Sequence, residues 1–358
     1  MRIINAIHSQ NIGGVEEVFC NYSKMLNLSD VETIMVISGR SDSSIKEANV
    51  KNFNKYNKIF PKNKIFYLKN IAQIFDFIAL LYVIIRYQAK IIICHSKRIL
   101  KLAKIAKLLC NIKIIAVNHG ITINHSLSAD YIININENIA NMVIDKGFSP
   151  DNNFILHNAI DINRSYYKKY INNPVVIGIY GRIEYRKGFD ILIKSLSILQ
   201  QRGINFKVKI GGFDVPKSDY NWQYLRKMAK DFSILDNIDF VGLVTDKEQF
   251  FSDVDIFCVP SREEPFGMVI IESILHSTIV LSSNCEGAKI IINHQDSGFI
   301  FNNEDMVDLA DNITKIVKLS DLHYQAITAK AYQDLQQNFS LNETKKHLIN
   351  IINKIANS

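Results

Sequence analysis

The sequence has no apolar run long enough to cross a bilayer as a helix. The longest, Phe77 to Ile85, is nine uncharged residues held between Asp76 and Arg86, where a spanning helix takes roughly 20. The start, Met1-Arg2-Ile3-Ile4-Asn5-Ala6-Ile7, is interrupted too soon to read as a signal peptide. Five cysteines (Cys20, Cys94, Cys110, Cys258, Cys285) are scattered, odd in number and without a Cys-x-x-Cys spacing. That leaves neither a disulfide framework nor a thiolate metal site to read. Four of the five sit in apolar runs, as buried free thiols do, and a reducing cytoplasm is the expected setting. No repeat of solenoid length is present, and the bias toward Ile, Asn and Lys reads as genome composition rather than function.

What is present fits two αβ domains. The length of 358 residues exceeds one small core, and 47% hydrophobic with 22% charged residues is ordinary for a globular chain. The net charge of +7 is unevenly spread: residues 1–170 hold 22 Lys/Arg and 12 Asp/Glu, the remainder 20 and 23. Between Lys46 and Lys113, 15 basic residues face only Glu47 and Asp76. Such a field implies an anionic partner, a polyanion or an acidic membrane surface.

Short β-branched runs alternate with helical patterns. Strands are predicted at Arg2–Ile7, Thr33–Ile37, Lys64–Leu68, Ile91–Cys94, Lys113–Val117 and Tyr131–Ile135. After Asn173 the series restarts at Val175–Tyr180, Phe206–Ile210, Ile238–Phe240, Ile256–Val259 and Ile279–Ser282. Helical periodicity fills gaps such as Val15–Leu28, Lys97–Cys110, Lys187–Gln201 and Gly267–His276, with an amphipathic helix over Asn342–Ala356. Near-continuous apolar strands between helices indicate parallel sheets covered on both faces. The polar stretch Asn163–Pro174 is the best boundary.

In such sheets ligands bind at the carboxyl ends of strands, so the glycines and charges there are the candidates. Asn11-Ile12-Gly13-Gly14-Val15-Glu16 follows the first strand and opens a helix, where free N–H groups suit an anion. A plain tight turn explains that glycine pair equally well, and the loop is not Gly-x-Gly-x-x-Gly. Gly181-Arg182-Ile183-Glu184-Tyr185-Arg186-Lys187-Gly188 follows the first strand of the second series; Arg182 and Lys187 are placed to clamp a diphosphate, or the loop is merely solvated. Pro260-Ser261-Arg262-Glu263-Glu264-Pro265-Phe266-Gly267-Met268-Val269-Ile270-Ile271-Glu272 sets one carboxylate at a strand end and a second on the following helix. Between them lie the N–H groups of Gly267, Met268 and Val269. Carboxylates accept hydrogen bonds from sugar hydroxyls, and N–H groups suit phosphate oxygens.

These pieces, in this order, resemble family 4 glycosyltransferases of the GT-B fold. The Glu264-x7-Glu272 spacing inside Pro-Ser-x-x-Glu-x-Phe-Gly is similar to the family's donor-binding motif. Gly13-Gly14-x-Glu16, His119-Gly120, Asn136-Glu137 with Lys146-Gly147-Phe148, and His157-Asn158-Ala159-Ile160-Asp161 resemble its other signatures, as do Arg182…Lys187-Gly188, Gly211-Gly212 and Val241-Gly242. Ala159 stands where a glycine is usual. In Asn284-Cys285-Glu286-Gly287-Ala288-Lys289-Ile290, Glu286 takes a glycine position and Ile290 an acidic one.

The resemblance implies an α/β GT-B architecture, two Rossmann-like doubly wound parallel-sheet domains facing a central cleft. Residues 1–170 would be the acceptor-side domain and 171–340 the nucleotide-sugar domain; 341–358 would be a helix that crosses back to the first domain in the resembled family. It further implies a retaining, hexosyltransferase-like transfer from a nucleoside-diphosphate sugar, such as a UDP-sugar, to a glycan or lipid-linked acceptor in lipopolysaccharide or capsule assembly. The nucleotide-sugar is a substrate, and neither cofactor nor metal is expected, no Asp-x-Asp lying at the carboxyl end of a strand. Arg182, Lys187 and the amides of Gly14, Gly267, Met268 and Val269 would hold the diphosphate, Glu272 the ribose and Glu264 the sugar. His119 would contact the sugar or the developing charge, no general base is assigned, and His95 is read as structural.

Lys97, Arg98, Lys101, Lys104 and Lys107 recur along one helix that also carries Leu100, Leu102, Ile105, Leu108 and Leu109. With the apolar segment Ile71–Ile85 this reads as a peripheral face for the cytoplasmic membrane, or as an ordinary sheet-covering helix. The rival functions are a nucleotide-sugar epimerase and a non-catalytic sugar-nucleotide or glycan-binding protein. Nucleic-acid binding is disfavoured, because neither a reading motif nor an aromatic platform accompanies the basic segment.

Overall fold

The computed structural model describes residues 1–8, 13–29, 31–38, 64–68 and 73–358. Asn11, Ile12 and the basic stretch from Lys46 to residue 63 lie outside the described residues. The chain divides into two compact units, Met1–Asp161 with Ser340–Ser358, and Ile162–Phe339.

The first unit runs β1 (Arg2–His8), α1 (Gly14–Asn27), β2 (Glu32–Ser38), β3 (Ile65–Leu68), α2 (Gln73–Tyr87), β4 (Ile91–Cys94), α3 (Lys97–Lys107), β5 (Lys113–Asn118), β6 (Tyr131–Asn134), α4 (Glu137–Asp145) and β7 (Asn153–Ile155). Its described strands are all parallel, in the order β3-β2-β1-β4-β5-β6-β7. The central strands are buried nearly throughout because helices cover both faces, which is why Ile91–Cys94 reads as an unbroken apolar run. Asn136 begins α4 by accepting the Ile139 N–H at 2.8 Å. A further helix, Leu341–Asn357, belongs to this unit. It packs on α1, with Leu348, Ile352 and Ile355 fully buried, and the Leu341 N–H donates to the Ile160 carbonyl at 3.1 Å.

The second unit runs β8 (Val175–Ile183), α5 (Phe189–Gln201), β9 (Phe206–Asp214), α6 (Trp222–Asp231), β10 (Ile238–Gly242), α7 (Lys247–Phe251), β11 (Ile256–Val259), α8 (Met268–Leu275), β12 (Ile279–Ser283), α9 (Glu286–Ile291), β13 (Phe299–Phe301), α10 (Met306–Val317) and α11 (Asp321–Asn338). Its strands, parallel again, are ordered β10-β9-β8-β11-β12-β13. The core gathers Ile177 and Ile179 of β8, Leu192 and Leu196 of α5, Ile256 of β11, Leu281 of β12 and Ile313 of α10. In each unit the strand order reverses beside the first strand, β1 against β4 and β8 against β11, where open sheets leave a crevice at the carboxyl ends. Both units are thus Rossmann-like layers. The strands predicted from sequence form within a few residues of their expected limits; β7 and β13 are additional.

Candidate functional site

In the second unit two loops meet at the switch point. The first leaves β8 at Ile183, turns through Tyr185–Lys187 and enters α5 through Gly188, whose φ is +68°. A Cβ at Gly188 would lie 1.9 Å from the Pro260 carbonyl oxygen, so only glycine lets the loops approach. The second loop, Pro260–Gly267, leaves β11 and enters α8. The two are tied by the Arg262 N–H donating to the Arg186 carbonyl at 2.8 Å. Arg262 also grips Asp190 through both terminal nitrogens, at 2.9 and 2.8 Å, and lies 3.6 Å over the Tyr185 ring. Burial works against the Asp190 carboxylate, yet hydrogen bonds from Arg262 and Tyr220 hold its pKa below the ordinary value. Sequence reasoning named neither residue as a site member; this pair is what fixes the loops.

On that frame Lys187 Nζ meets Glu264 Oε2 at 2.5 Å, both side chains largely buried. Lys187 and Val269 line one cavity with Tyr180, Pro260 and Ser261. The first N–H groups of α8, those of Met268 and Val269, belong to the set a helix leaves without internal partners. Glu272, nearly inaccessible, takes the Tyr180 hydroxyl on one carboxylate oxygen and Lys247 on the other at 2.5 Å. Tyr180 and Lys247 were not foreseen, and between them they orient the Glu272 carboxylate. Arg182 is half exposed and pairs with Glu184 at 3.2 Å. The 284–290 segment forms the start of α9. There the Gly287 N–H donates to the Glu264 carbonyl at 2.8 Å, and a Cβ at Gly287 would stand 2.1 Å from the Phe266 carbonyl. Glu286 pairs outward with Lys289.

In the first unit Gly14 opens α1, exposed, while His119 follows β5 and His95 follows β4. The structure joins the two histidines: His95 Nδ1 lies 3.1 Å from His119 Nε2, and His95 Nε2 lies 2.9 Å from Asn5 Oδ1. Burial lowers both rings, His119 to about 4 and His95 well below its ordinary 6.5, so both are neutral at neutral pH. His95 is therefore a partner of His119, where sequence reasoning left it as a separate structural residue. Of the basic residues on α3, Arg98 is committed to buried Asp76 and Lys107 to Asp130; Lys97, Lys101 and Lys104 are exposed.

Residues 166–334 match the family described as "Glycosyl transferases group 1". The match lies within the second unit, Ile162–Phe339. The chain is 30% identical over 152 residues, 42% of its length, to the capsular polysaccharide biosynthesis glycosyltransferase CapM of Staphylococcus aureus, covering 39% of that protein. It is 26% identical over 218 residues, 60% of its length, to the lipopolysaccharide core biosynthesis glycosyltransferase LpsE of Rhizobium meliloti, covering 61%. The chain thus spans less than two thirds of the length of either curated relative. Among solved structures it superposes on the Anabaena protein HepE in complex with UDP with a TM-score of 0.81 at 17% identity, covering 99% of this chain and 100% of that one. A glycosyltransferase from Rickettsia africae gives 0.80 at 17% identity, with 100% and 99% covered. At that identity the likeness establishes the fold, which is GT-B. Among the described residues no cluster of His, Cys, Asp or Glu is arranged to hold a metal ion, and no helix is long and apolar enough to cross a membrane.

Proposed function

We propose that this chain is a retaining glycosyltransferase of family 4 that moves a sugar from a nucleoside-diphosphate sugar to a glycan or lipid-linked acceptor, without a metal ion. The observation that carries the reading is the second unit's arrangement of Lys187 against Glu264 at 2.5 Å, the N-terminus of α8 beside them, and Glu272 held by Tyr180 and Lys247. A leaving diphosphate needs fixed positive charge and N–H donors when no metal serves it. Lys187, Arg182 and the amides of Gly267, Met268 and Val269 supply them, and resemblance adds the amide of Gly14. Glu272 is assigned to the ribose hydroxyls and Glu264 to the sugar, with His119 as a hydroxyl contact. Because HepE was solved with UDP and with UDP-glucose, uridine diphosphate is the proposed leaving group. The relatives named for capsular polysaccharide and lipopolysaccharide core biosynthesis support a role in cell-surface glycan assembly.

A thermal-shift screen of nucleoside diphosphates and their sugars tests this. Ligand at 100 times its Kd stabilises the folded state by about 2.7 kcal/mol. The expected outcome is a base-selective shift that vanishes in Glu272→Ala and Lys187→Ala. No shift with any nucleotide at millimolar concentration rejects the transferase and favours a protein that binds glycans without catalysis.

The acceptor side is proposed to rest on the cytoplasmic membrane. Ile74, Phe75, Ile78, Tyr82 and Ile85 of α2 are each more than half exposed, as are Leu108 and Leu109 after α3. Lys97, Lys101 and Lys104 are exposed on α3, which packs against α2. An apolar stripe flanked by cations suits an anionic lipid surface, at about 1 kcal/mol per Lys. Co-sedimentation with anionic but not neutral vesicles, weakened in Ile78→Asp, is expected; equal binding to both lipids rejects the electrostatic part.

A further inference from the structure

The polar groups at the carboxyl end of β5 are wired in one direction. Asn5 sits in the middle of β1, fully buried. Its amide nitrogen lies 3.0 Å from the Phe19 carbonyl oxygen and 2.7 Å from Ser23 Oγ. A carbonyl can only accept, so the amide NH2 faces it and the Asn5 oxygen faces His95. His95 Nε2 must then carry a proton to donate to Asn5 Oδ1 at 2.9 Å. In a neutral ring that leaves His95 Nδ1 as an acceptor, and its neighbour at 3.1 Å, His119 Nε2, carries the next proton. Edge-on contacts from the Phe19 and Tyr22 rings, and near-parallel planes of the two hydrogen-bonded imidazoles, fix the orientation of His95. The relay ends at His119 Nδ1, which is buried and has no hydrogen-bond partner among the described residues.

A second relay runs on the other face of the sheet with the same sense. Asn153 donates to the Ala140 carbonyl at 2.9 Å, and Asn134 donates to the Phe154 carbonyl at 3.1 Å and to Asn153 Oδ1 at 2.7 Å. Asn118 then donates to Asn134 Oδ1 at 2.8 Å. Here too the carbonyls set the direction, and the amide oxygen of Asn118 is left buried without a partner among the described residues. Two independent chains therefore finish on bare acceptors at consecutive residues, Asn118 and His119. A buried acceptor without a donor is costly, and the one at His119, reached by an anchored relay, points to a ligand that brings a hydroxyl.

We propose that Asn5 and His95 are positioning residues that hold His119 in its Nε2–H tautomer, so that Nδ1 is offered as an acceptor to a ligand hydroxyl. A neutral ring with its lone pair forward takes an O–H and disfavours a phosphate oxygen, which has no proton to give. The assignment of that hydroxyl to a sugar rests on the transferase reading; the tautomer does not.

The test is a two-bond proton–nitrogen correlation spectrum of histidine-labelled protein without ligand at neutral pH. The expected result is His95 and His119 both as Nε2–H, with His119 passing to a tautomer mixture in Asn5→Leu. A wild-type His119 protonated at Nδ1 overturns the proposal, and this spectrum suffices if Asn5→Leu does not fold. In a transfer assay His95→Phe is expected to lose about tenfold in kcat/KM while calorimetric affinity for the nucleoside diphosphate stays unchanged. Equal loss of both shows disruption of the fold and overturns the positioning role. Absence of any transfer by wild type, with the tautomers as expected, sinks the transferase reading and leaves the relay standing.

Discussion

The two units share a strand order and differ in the chemistry left at its carboxyl ends. In the second, every charge we single out is already matched: Lys187 with Glu264, Glu272 with Lys247, Asp190 with Arg262. In the first, β4 and β5 lead into neutral amide and imidazole groups that finish on acceptors without a donor among the described residues. On the proposed function, the difference teaches how one topology serves two kinds of ligand group. Paired charges avoid the cost of a lone buried ion, and an incoming anion must exchange Glu264 for itself on Lys187. Neutral relays carry no such competition, and the proposal has them select for hydroxyls by proton position alone.

The sharpest way to break this division is by kinetics. Lys187→Ala is expected to lower kcat by about 10²–10³-fold, as loss of one transition-state donor does. His119→Ala is expected to cost far less and to spare nucleotide affinity in calorimetry. Comparable losses in both variants, in rate and in affinity, would erase the distinction.

A second test asks whether the charged half depends on its tight loop crossing. Gly188→Ala puts a side chain at φ +68° and 1.9 Å from the Pro260 carbonyl. We expect a destabilisation of about 3 kcal/mol in urea, with hydrogen exchange accelerated in the second unit and unchanged in the first. Unaltered stability would mean that the Arg262–Asp190 pair alone fixes the loops.

A third test is graded with acid. His8, His95, His119 and His125 in the first unit all have lowered pKa values, chiefly from burial, with His119 at about 4. In the second unit His276 behaves likewise, at about 3. Unfolded histidines take up protons near pH 6.5 that the folded rings refuse, so stability is full above that pH and declines as it falls toward 4. Each such ring contributes at most about 1.4 kcal/mol per pH unit. Unit-resolved hydrogen exchange should therefore weaken the first unit more steeply; equal slopes would show that its histidines are not the distinguishing feature.

Much of this was legible in the sequence, for identifiable reasons. Strands such as Ile91–Cys94 and Ile256–Val259 announce themselves because burial on both faces demands unbroken apolar runs. Asn153–Ile155 and Phe299–Phe301 are three-residue outer strands, too short to carry a pattern. Glu264 and Glu272 stand out by spacing within one loop and helix. Tyr180 lies 92 positions from Glu272, and spacing carries no information at that range. His95 and His119 are 24 apart, yet each follows a strand, and β4 and β5 are neighbours. Reading strand adjacency together with the histidines is the signal that joins them.

The isolated bridge between Ile160 and Ser340 has a consequence for the order of synthesis. Both crossings of the chain between units occur at that bridge, so Ile162–Phe339 is an insertion whose ends leave the host fold side by side. A ribosome completes this guest before it has made the helix Leu341–Asn357 that the host needs to bury Leu348, Ile352 and Ile355. The host must therefore wait, its α1 surface uncovered, through the translation of its own guest.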